Sequence, residues 1–295
     1  MKRILISGAS GFVGSFLLPK LIEEGHNILA LSRNPKNLKK TYGNSVSACK
    51  IEETKRIEKF KPQIVINLAT YSNSSDEKEI QKEILEANII YLSFLLDAIK
   101  KLNIELFVNT GTFAEYFSNT EELDPAYFYS ATKTAGRYII KYYSKTYNFK
   151  YINVIPYSIY GPNDQRRKLI HILLESFNGD NAINTTEGNQ ILDFIYIDDV
   201  VDAYLKIIDR FDLVCNEQNL IVGTGVGLSI KELVANLEEI TGKRTNINWG
   251  AIPYRKRDIM YAVANIEETK TLLNWKPNYS IKEGLYKMLR KDNIL

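Results

Sequence analysis

Gly8-Ala9-Ser10-Gly11-Phe12-Val13-Gly14 follows at once on the apolar run Ile4-Leu5-Ile6 and opens a stretch with helical spacing of apolar residues. Glycines at that spacing between a strand and a helix allow a tight turn, close approach of backbone to a ligand, and close helix–strand packing. The helix that starts there aims free N–H groups and the positive end of its dipole at the turn, which suits phosphate. A chain built this way is committed to a parallel sheet that binds a dinucleotide at the carboxyl ends of its strands. Gly8, Ser10, Gly11, Phe12, Val13 and Gly14 are the candidate contacts to that cofactor.

Further along, apolar runs at 3–7, 27–31, 64–67, 105–109 and 151–156 alternate with amphipathic stretches at 12–24, 79–101 and 130–147. That alternation predicts an α/β fold, a doubly wound Rossmann-type parallel sheet. Pro19 removes the hydrogen bond to Ser15 and predicts a kink in the first helix. After Tyr160-Gly161-Pro162 the units shorten, with helices expected over 170–177, 200–210, 229–241 and 265–273. The expected organisation is a dinucleotide-binding domain over 1–160 and a smaller, mainly substrate-binding lobe over 161–295. The two are expected to interleave, with part of 190–222 returning to the first.

A net charge of +3 over 295 residues is too slight to signal nucleic-acid or membrane binding. Cys49, Cys215 and the two histidines lie far apart and form no metal-ligand spacing, so no metal is expected. No run approaches the roughly 18 apolar residues of a membrane span, and the N-terminus lacks the pattern of a signal peptide. The expectation is a reduced, cytoplasmic protein.

The end of the second strand reports on the nicotinamide used. NAD-binding sheets place a carboxylate there for the ribose 2′-hydroxyl, whereas NADP-binding ones offer an arginine. Here the segment is Leu31-Ser32-Arg33-Asn34, with no acid. Arg33 can form a charge-assisted fork to a 2′-phosphate and Ser32 can add a donor, so NADPH is expected.

Tyr129-Ser130-Ala131-Thr132-Lys133 puts a phenol and an ammonium four residues apart on one helix face. Free tyrosine ionises at about pH 10, and a neighbouring lysine lowers that value while holding the nicotinamide ribose. The chain holds 19 tyrosines, so spacing alone says little; the position after the strands of a cofactor-binding sheet gives it weight. Thr110, at the end of the preceding strand, offers a hydroxyl to the reacting oxygen. Thr110, Tyr129 and Lys133 together read as a hydride-transfer site.

These residues resemble the extended short-chain dehydrogenase/reductase family, in its nucleotide-sugar epimerase/dehydratase branch. The glycine turn, Val65-Ile66-Asn67-Leu68-Ala69-Thr70, Asn88, Tyr129 with Lys133, and Tyr160-Gly161-Pro162 fall in the family's order. So do 193–200 and Leu273-Asn274-Trp275-Lys276-Pro277. Within the branch the chain is similar to reductases of CDP-linked 4-keto-3,6-dideoxy sugars, notably over 250–265. The resemblance implies NADPH reduction of a C4 ketone, for O-antigen or other surface-polysaccharide synthesis, with Thr110, Tyr129 and Lys133 as the catalytic trio. It implies that Leu68, Ala69, Thr70, Asn88 and Pro156 line or support the cofactor site, and that the chain forms a homodimer through 79–101 and 130–147.

The branch commonly carries arginines where this chain has Leu192 and, nearby, Ile155. The diphosphate of the substrate then falls to Arg166, Arg167, Arg255 or Arg257, with Thr112 at the sugar; solvated loop charge is the alternative for each cluster. Branch dehydratases place an Asp-Glu pair where this chain has Gly111-Thr112, which cannot titrate near neutrality, so dehydration is not expected. Phe113-Ala114-Glu115-Tyr116 replaces the familiar Val-Tyr-Gly and is expected to shape sugar specificity. An NAD-dependent C4 epimerase and, more remotely, a non-catalytic nucleotide-binding regulator stay open.

Overall fold

The glycine turn joins β1 (Arg3–Ser7) to α1 (Phe12–Glu23), and a right-handed crossover leads to β2 (Asn27–Leu31) beside β1. Next come α2 (Pro35–Tyr42), β3 (Ser47–Cys49), α3 (Thr54–Phe60) and β4 (Ile64–Asn67). One long helical stretch then runs as α4 (Lys78–Leu85), a π-helical turn over Glu86–Ile90, and α5 (Tyr91–Ile99). It leads to β5 (Leu106–Thr110), α6 (Phe128–Tyr147) and β6 (Lys150–Pro156). This computed structural model describes residues 1–164, 166, 168–177 and 182–295.

The second part of the chain supplies β7 (Ser158–Tyr160), α7 (Leu169–Glu175), β8 (Ile183–Asn184), β9 (Ile191–Tyr196) and α8 (Ile197–Asp209). After these follow β10 (Gln218–Val222), β11 (Gly227–Ser229), α9 (Ile230–Thr241), β12 (Ile247–Asn248), β13 (Tyr261–Ala262), α10 (Glu267–Leu273) and α11 (Ile281–Lys291). The main sheet has seven strands in the order β10-β6-β5-β4-β1-β2-β3, each pair parallel. A smaller sheet runs β11-β9-β13, with β7 also paired to β9.

Period-two alternation explains both faces of the main sheet. Ile4, Ile6 and Val108 point to the side covered by α1 and α8, with Leu17, Leu21, Val200 and Ile207. Leu5, Val65 and Phe107 point to the side covered by α5 and α6, with Leu95, Ile99 and Ile140. Helix α1 runs on through Pro19. Burial of Leu17, Leu18 and Leu21 around it offsets the one hydrogen bond lost at the Ser15 carbonyl.

The expected doubly wound sheet is present, and two of its strands lay outside the expectation. β3 is only Ser47-Ala48-Cys49, and β10 opens on Gln218 and Asn219, so neither carries an apolar run long enough to read. Asp193 on β9 ties the two sheets together. Its buried carboxylate accepts from the backbone N–H groups of Thr224, Gly225 and Ala264 and from the Thr224 hydroxyl. Among the described residues no helix is long and apolar enough to cross a membrane.

Candidate active site

The turn after β1 is shaped to hold a diphosphate. Gly8 has φ +72°, and a Cβ there would lie 2.6 Å from the Ala69 nitrogen. A Cβ on Gly14 would lie 2.7 Å from the Ala9 Cα, so β1, β4 and α1 approach as closely as they do only because both residues are glycine. Gly11 caps α1 without a side chain, and the first turn holds no acid, which leaves the N–H groups of Phe12 and Val13 to a ligand. The Ser7 hydroxyl donates to Asn67 Oδ1 at 2.7 Å and locks the tips of β1 and β4. Leu68 is buried there, Ala69 half-buried and Thr70 exposed; Pro156, at the end of β6, is buried.

Beyond the turn lies a cleft of roughly 210 Å³ lined by Ser10, Ser15, Ser32, Asn34, Asn37 and Thr41, with no carboxylate among its lining residues. Ser32 Oγ accepts from the Asn34 N–H at 3.1 Å. Arg33 beside it is exposed and holds no ion pair among the described residues. These groups fit the adenosine end of a dinucleotide.

Tyr129 and Lys133 occupy the first two turns of α6, which is started by the Ser130 hydroxyl accepting from the Tyr127 N–H at 2.9 Å. Thr110 closes β5 opposite them. Lys133 Nζ donates to the Thr110 carbonyl at 2.8 Å, and Thr110 Oγ1 lies 2.7 Å from the Tyr204 hydroxyl on α8. Burial pushes the Tyr129 phenol up to about 12, opposed by hydrogen bonding with Thr70 and Ser72. Burial pushes the Lys133 ammonium down to about 8, opposed by Glu115 and reinforced by Arg137. The main groups acting on the phenol are thus Thr70, Ser72, Glu115 and Arg166, where the spacing had pointed to Lys133.

Asn88 sits buried in the π-helical turn, a device that recurs at functional sites. Its carboxamide oxygen accepts from the Thr70 hydroxyl and the Tyr71 N–H, and its nitrogen donates to the Tyr71 carbonyl and the Thr132 hydroxyl. Every hydrogen-bonding position of the amide is spent on protein. Asn88 therefore supports the site, clamping the segment after β4 to the helix of Tyr129 and Lys133.

Sequence reasoning missed the buried pair Glu115–Arg137. Arg137 donates through Nε and Nη2 to the two Glu115 oxygens, and Nη1 donates to Asn219 on β10. The Thr112 N–H donates to the same carboxylate at 2.9 Å, and the Thr112 hydroxyl accepts from Ala114 N–H. Thr112 is buried and caps a short turn of 3-10 helix over Phe113–Glu115. Glu115 faces inward, so its place in the loop is explained by pairing. An arginine at position 137, four residues past Lys133 on the same face, was the available signal.

Of the candidate arginines, Arg166 pairs with Asp164 at 2.8 Å, stands 5.2 Å from the Phe12 ring centroid, and lowers the Tyr129 phenol. Arg167 lies outside the described residues. Arg255 donates to Ser74 Oγ at 2.7 Å, tying its loop to the segment after β4. Arg257 pairs with Asp124 at 2.5 Å and covers the Phe117 ring. Of the three described, Arg166 is thus the one that stands over Phe12 beside the glycine turn and acts on the phenol through its charge.

The model of the NAD dependent epimerase/dehydratase family matches residues 4–223, from β1 past the end of β10. The chain belongs to that family. Among similar proteins, the CDP-abequose synthase of Salmonella typhimurium is 31% identical over 300 residues, covering 98% of this chain and 97% of that one. The CDP-abequose synthase of Yersinia pseudotuberculosis is 29% identical, with 92% and 96% covered. The fold is that of the UDP-glucuronic acid 4-epimerase of Bacillus cereus, with a TM-score of 0.88, 22% identity and 99% of each chain covered. Of the two places where arginines were expected, Ile155 is fully buried in β6 and Leu192 is paired to Leu228 across β9 and β11.

Proposed function

We propose that this enzyme is an NADPH-dependent reductase of the C4 ketone of a nucleotide-linked 4-keto-6-deoxy or 4-keto-3,6-dideoxy hexose. A CDP-sugar is favoured, and the product serves surface-polysaccharide synthesis. The observation that carries the reading is the bond from Lys133 Nζ to the Thr110 carbonyl, with Tyr129 one turn before Lys133 on α6, beside a Gly111-Thr112 step that holds no titratable group. Similarity to proteins named CDP-abequose synthase over nearly the full length favours the CDP-sugar.

When bound, the reduced nicotinamide supplies the hydride that the C4 carbon receives. Tyr129, kept protonated at neutral pH by burial, gives its proton to the C4 oxygen, completing the alcohol. Thr110 offers a second hydrogen bond to that oxygen. Lys133 holds the nicotinamide ribose and, with an ammonium pushed down to about 8, exchanges protons readily near neutrality to reprotonate the phenol. Arg33, exposed between Ser32 and Asn34 at the edge of a cleft without carboxylates, takes the 2′-phosphate. Arg166 meets a substrate phosphate near the phenol. The working unit is a homodimer, formed through the exposed apolar side chains of α5 and α6.

The test is NADPH consumption against CDP-, dTDP- and GDP-linked 4-keto-6-deoxy and 3,6-dideoxy sugars, with product configuration read by NMR. Stoichiometric oxidation of NADPH with a CDP-linked ketone supports the reading. Purified protein that carries tight NAD and interconverts 4-hydroxy sugars without consuming NADPH overturns it in favour of a C4 epimerase.

A further inference from the structure

Three asparagines stand side by side at the carboxyl end of the main sheet: Asn109 on β5, Asn153 on β6 and Asn219 on β10, in register with one another. Two residues earlier on the same face, Phe107 and Tyr151 are buried against the side chains of α5 and α6. Packing there calls for an apolar row, and a buried carboxamide is costly unless its hydrogen bonds are made. Asn109 and Asn153 are nevertheless buried, and both are bonded along the row. Asn109 Nδ2 donates to Asn153 Oδ1 at 3.0 Å, and Asn153 Nδ2 donates to Asn219 Oδ1 at 3.1 Å. Arg137 Nη1 donates to the same Asn219 oxygen at 2.8 Å.

Arg137 sets the direction of the whole row. A guanidinium only donates, so it must meet the oxygen of Asn219. Asn219 Oδ1 then requires the nitrogen of Asn153, and Asn153 turns its oxygen to Asn109. Flipping any one amide would set two donors or two acceptors face to face. The charged end is itself clamped, because Arg137 donates through Nε and Nη2 to Glu115. At the other end Asn109 precedes Thr110, whose carbonyl accepts from Lys133 Nζ at 2.8 Å. Arg137 stands one turn past Lys133 on α6. Lys133 is therefore enclosed in a circuit that runs from its ammonium to the Thr110 carbonyl, back to Asn109, across Asn153 and Asn219 to Arg137, and one turn back along the helix.

We propose that Asn153 and Asn219 are positioning residues that hold β5 and α6 at the separation where Lys133 reaches the Thr110 carbonyl. This rests on the reading above, in which Lys133 serves the reduction. The asparagines act through Lys133 and are assigned no contact with substrate. Apolar contacts are non-directional and let strand ends and a helix slide by fractions of an ångström, whereas hydrogen bonds set both distance and angle. A satisfied polar row thus specifies a geometry that an apolar row would leave loose.

The experiment compares wild type, Asn153→Leu and Asn219→Ala as purified full-length proteins. Ile152→Val, in the core on the opposite face of β6, is the control for lost stability. Asn219 is exposed on the edge strand of the sheet, so its variant keeps the test decisive if Asn153→Leu does not fold. The nitrogen NMR signal of Lys133 Nζ follows the titration of the ammonium, on which Glu115 and Arg137 are the charged groups that act. A carbonyl acceptor favours the charged form, so both asparagine variants are expected to lower the midpoint by about one pH unit, and Ile152→Val to leave it in place. Their kcat for ketone reduction is expected to fall roughly tenfold. Crystal structures of the two are expected to show Lys133 Nζ beyond about 3.5 Å from the Thr110 carbonyl. A midpoint unmoved or raised in a folded asparagine variant, an unchanged kcat, or the same lowering in Ile152→Val overturns the proposal. If wild type reduces no sugar of the panel, the functional reading fails, and the titration and the Lys133–Thr110 distance still decide whether the row positions the lysine.

Discussion

Glu115 and Arg137 meet as a buried two-pronged ion pair, Oε2 to Nε at 2.6 Å and Oε1 to Nη2 at 3.0 Å, beside the segment that leaves Thr110. The pair is the reason position 111 is glycine. A Cβ there would lie 2.6 Å from Glu115 Oε1 and 2.9 Å from Ile155 Cδ1. A larger residue at position 111 would therefore have to displace the Glu115 carboxylate or Ile155. The carboxylate also takes the Thr112 N–H, so the pair sets the path of the loop that Thr110 begins.

Removing one partner of that pair leaves a charge buried and unpaired. Arg137→Met is expected to destabilise the fold by about 3–5 kcal/mol, and Arg137→Met with Glu115→Gln to recover much of the loss. Urea unfolding at neutral pH measures both. A small loss in the single variant would mean that water reaches the carboxylate.

Lys133 links activity to a stability cost. Its folded value is held near 8 by burial, against about 10.5 for the unfolded chain. Between those values the unfolded chain binds more protons, so the lysine's contribution to native stability rises with pH across that window, and its full cost is present below about pH 8. Lys133→Met is expected to abolish turnover yet stabilise the protein by roughly 1–3 kcal/mol at pH 7, net of the lost bond to the Thr110 carbonyl. The advantage should shrink from about pH 8 to about pH 10.5 in denaturant titrations of the two proteins. A difference independent of pH would show that the ammonium is solvated in the fold.

Cofactor choice is expected to turn on Arg33. Arg33→Ala should lower kcat/KM for NADPH by roughly 10–100-fold, the worth of one charge-assisted contact, with NADH nearly unaffected. Steady-state kinetics with both cofactors tests this. Equal losses for the two would place Arg33 away from the 2′-phosphate.

Helices α5 and α6 expose Phe94 at 58%, Tyr138 at 65% and Tyr142 at 62%. In the proposed homodimer a second copy covers these side chains. Phe94→Glu with Tyr142→Glu is expected to convert a dimer of the wild type into monomer, read by light scattering at micromolar concentration. Wild type that is itself monomeric there would remove this interface.

Local sequence determined the frame. A glycine turn behind a short apolar strand has few ways to fold, and period-two and period-3.6 patterns located β1, β2, β4, α6 and the ends of the sheet where Thr110, Tyr129 and Lys133 lie. Tertiary structure decided what those residues meet. Tyr204 is 94 residues from Thr110, and only the fold brings the two hydroxyls together. Glu115 and Arg137 are 22 apart, and nothing in their local sequence links them; the fold buries them as a pair. β10 joins the sheet although it opens on polar residues, because β6 offers it an edge. Periodicity records which face of an element is buried, whereas hydrogen-bond partners distant in the chain leave no periodic trace, and it is those partners that orient the residues the motifs had marked.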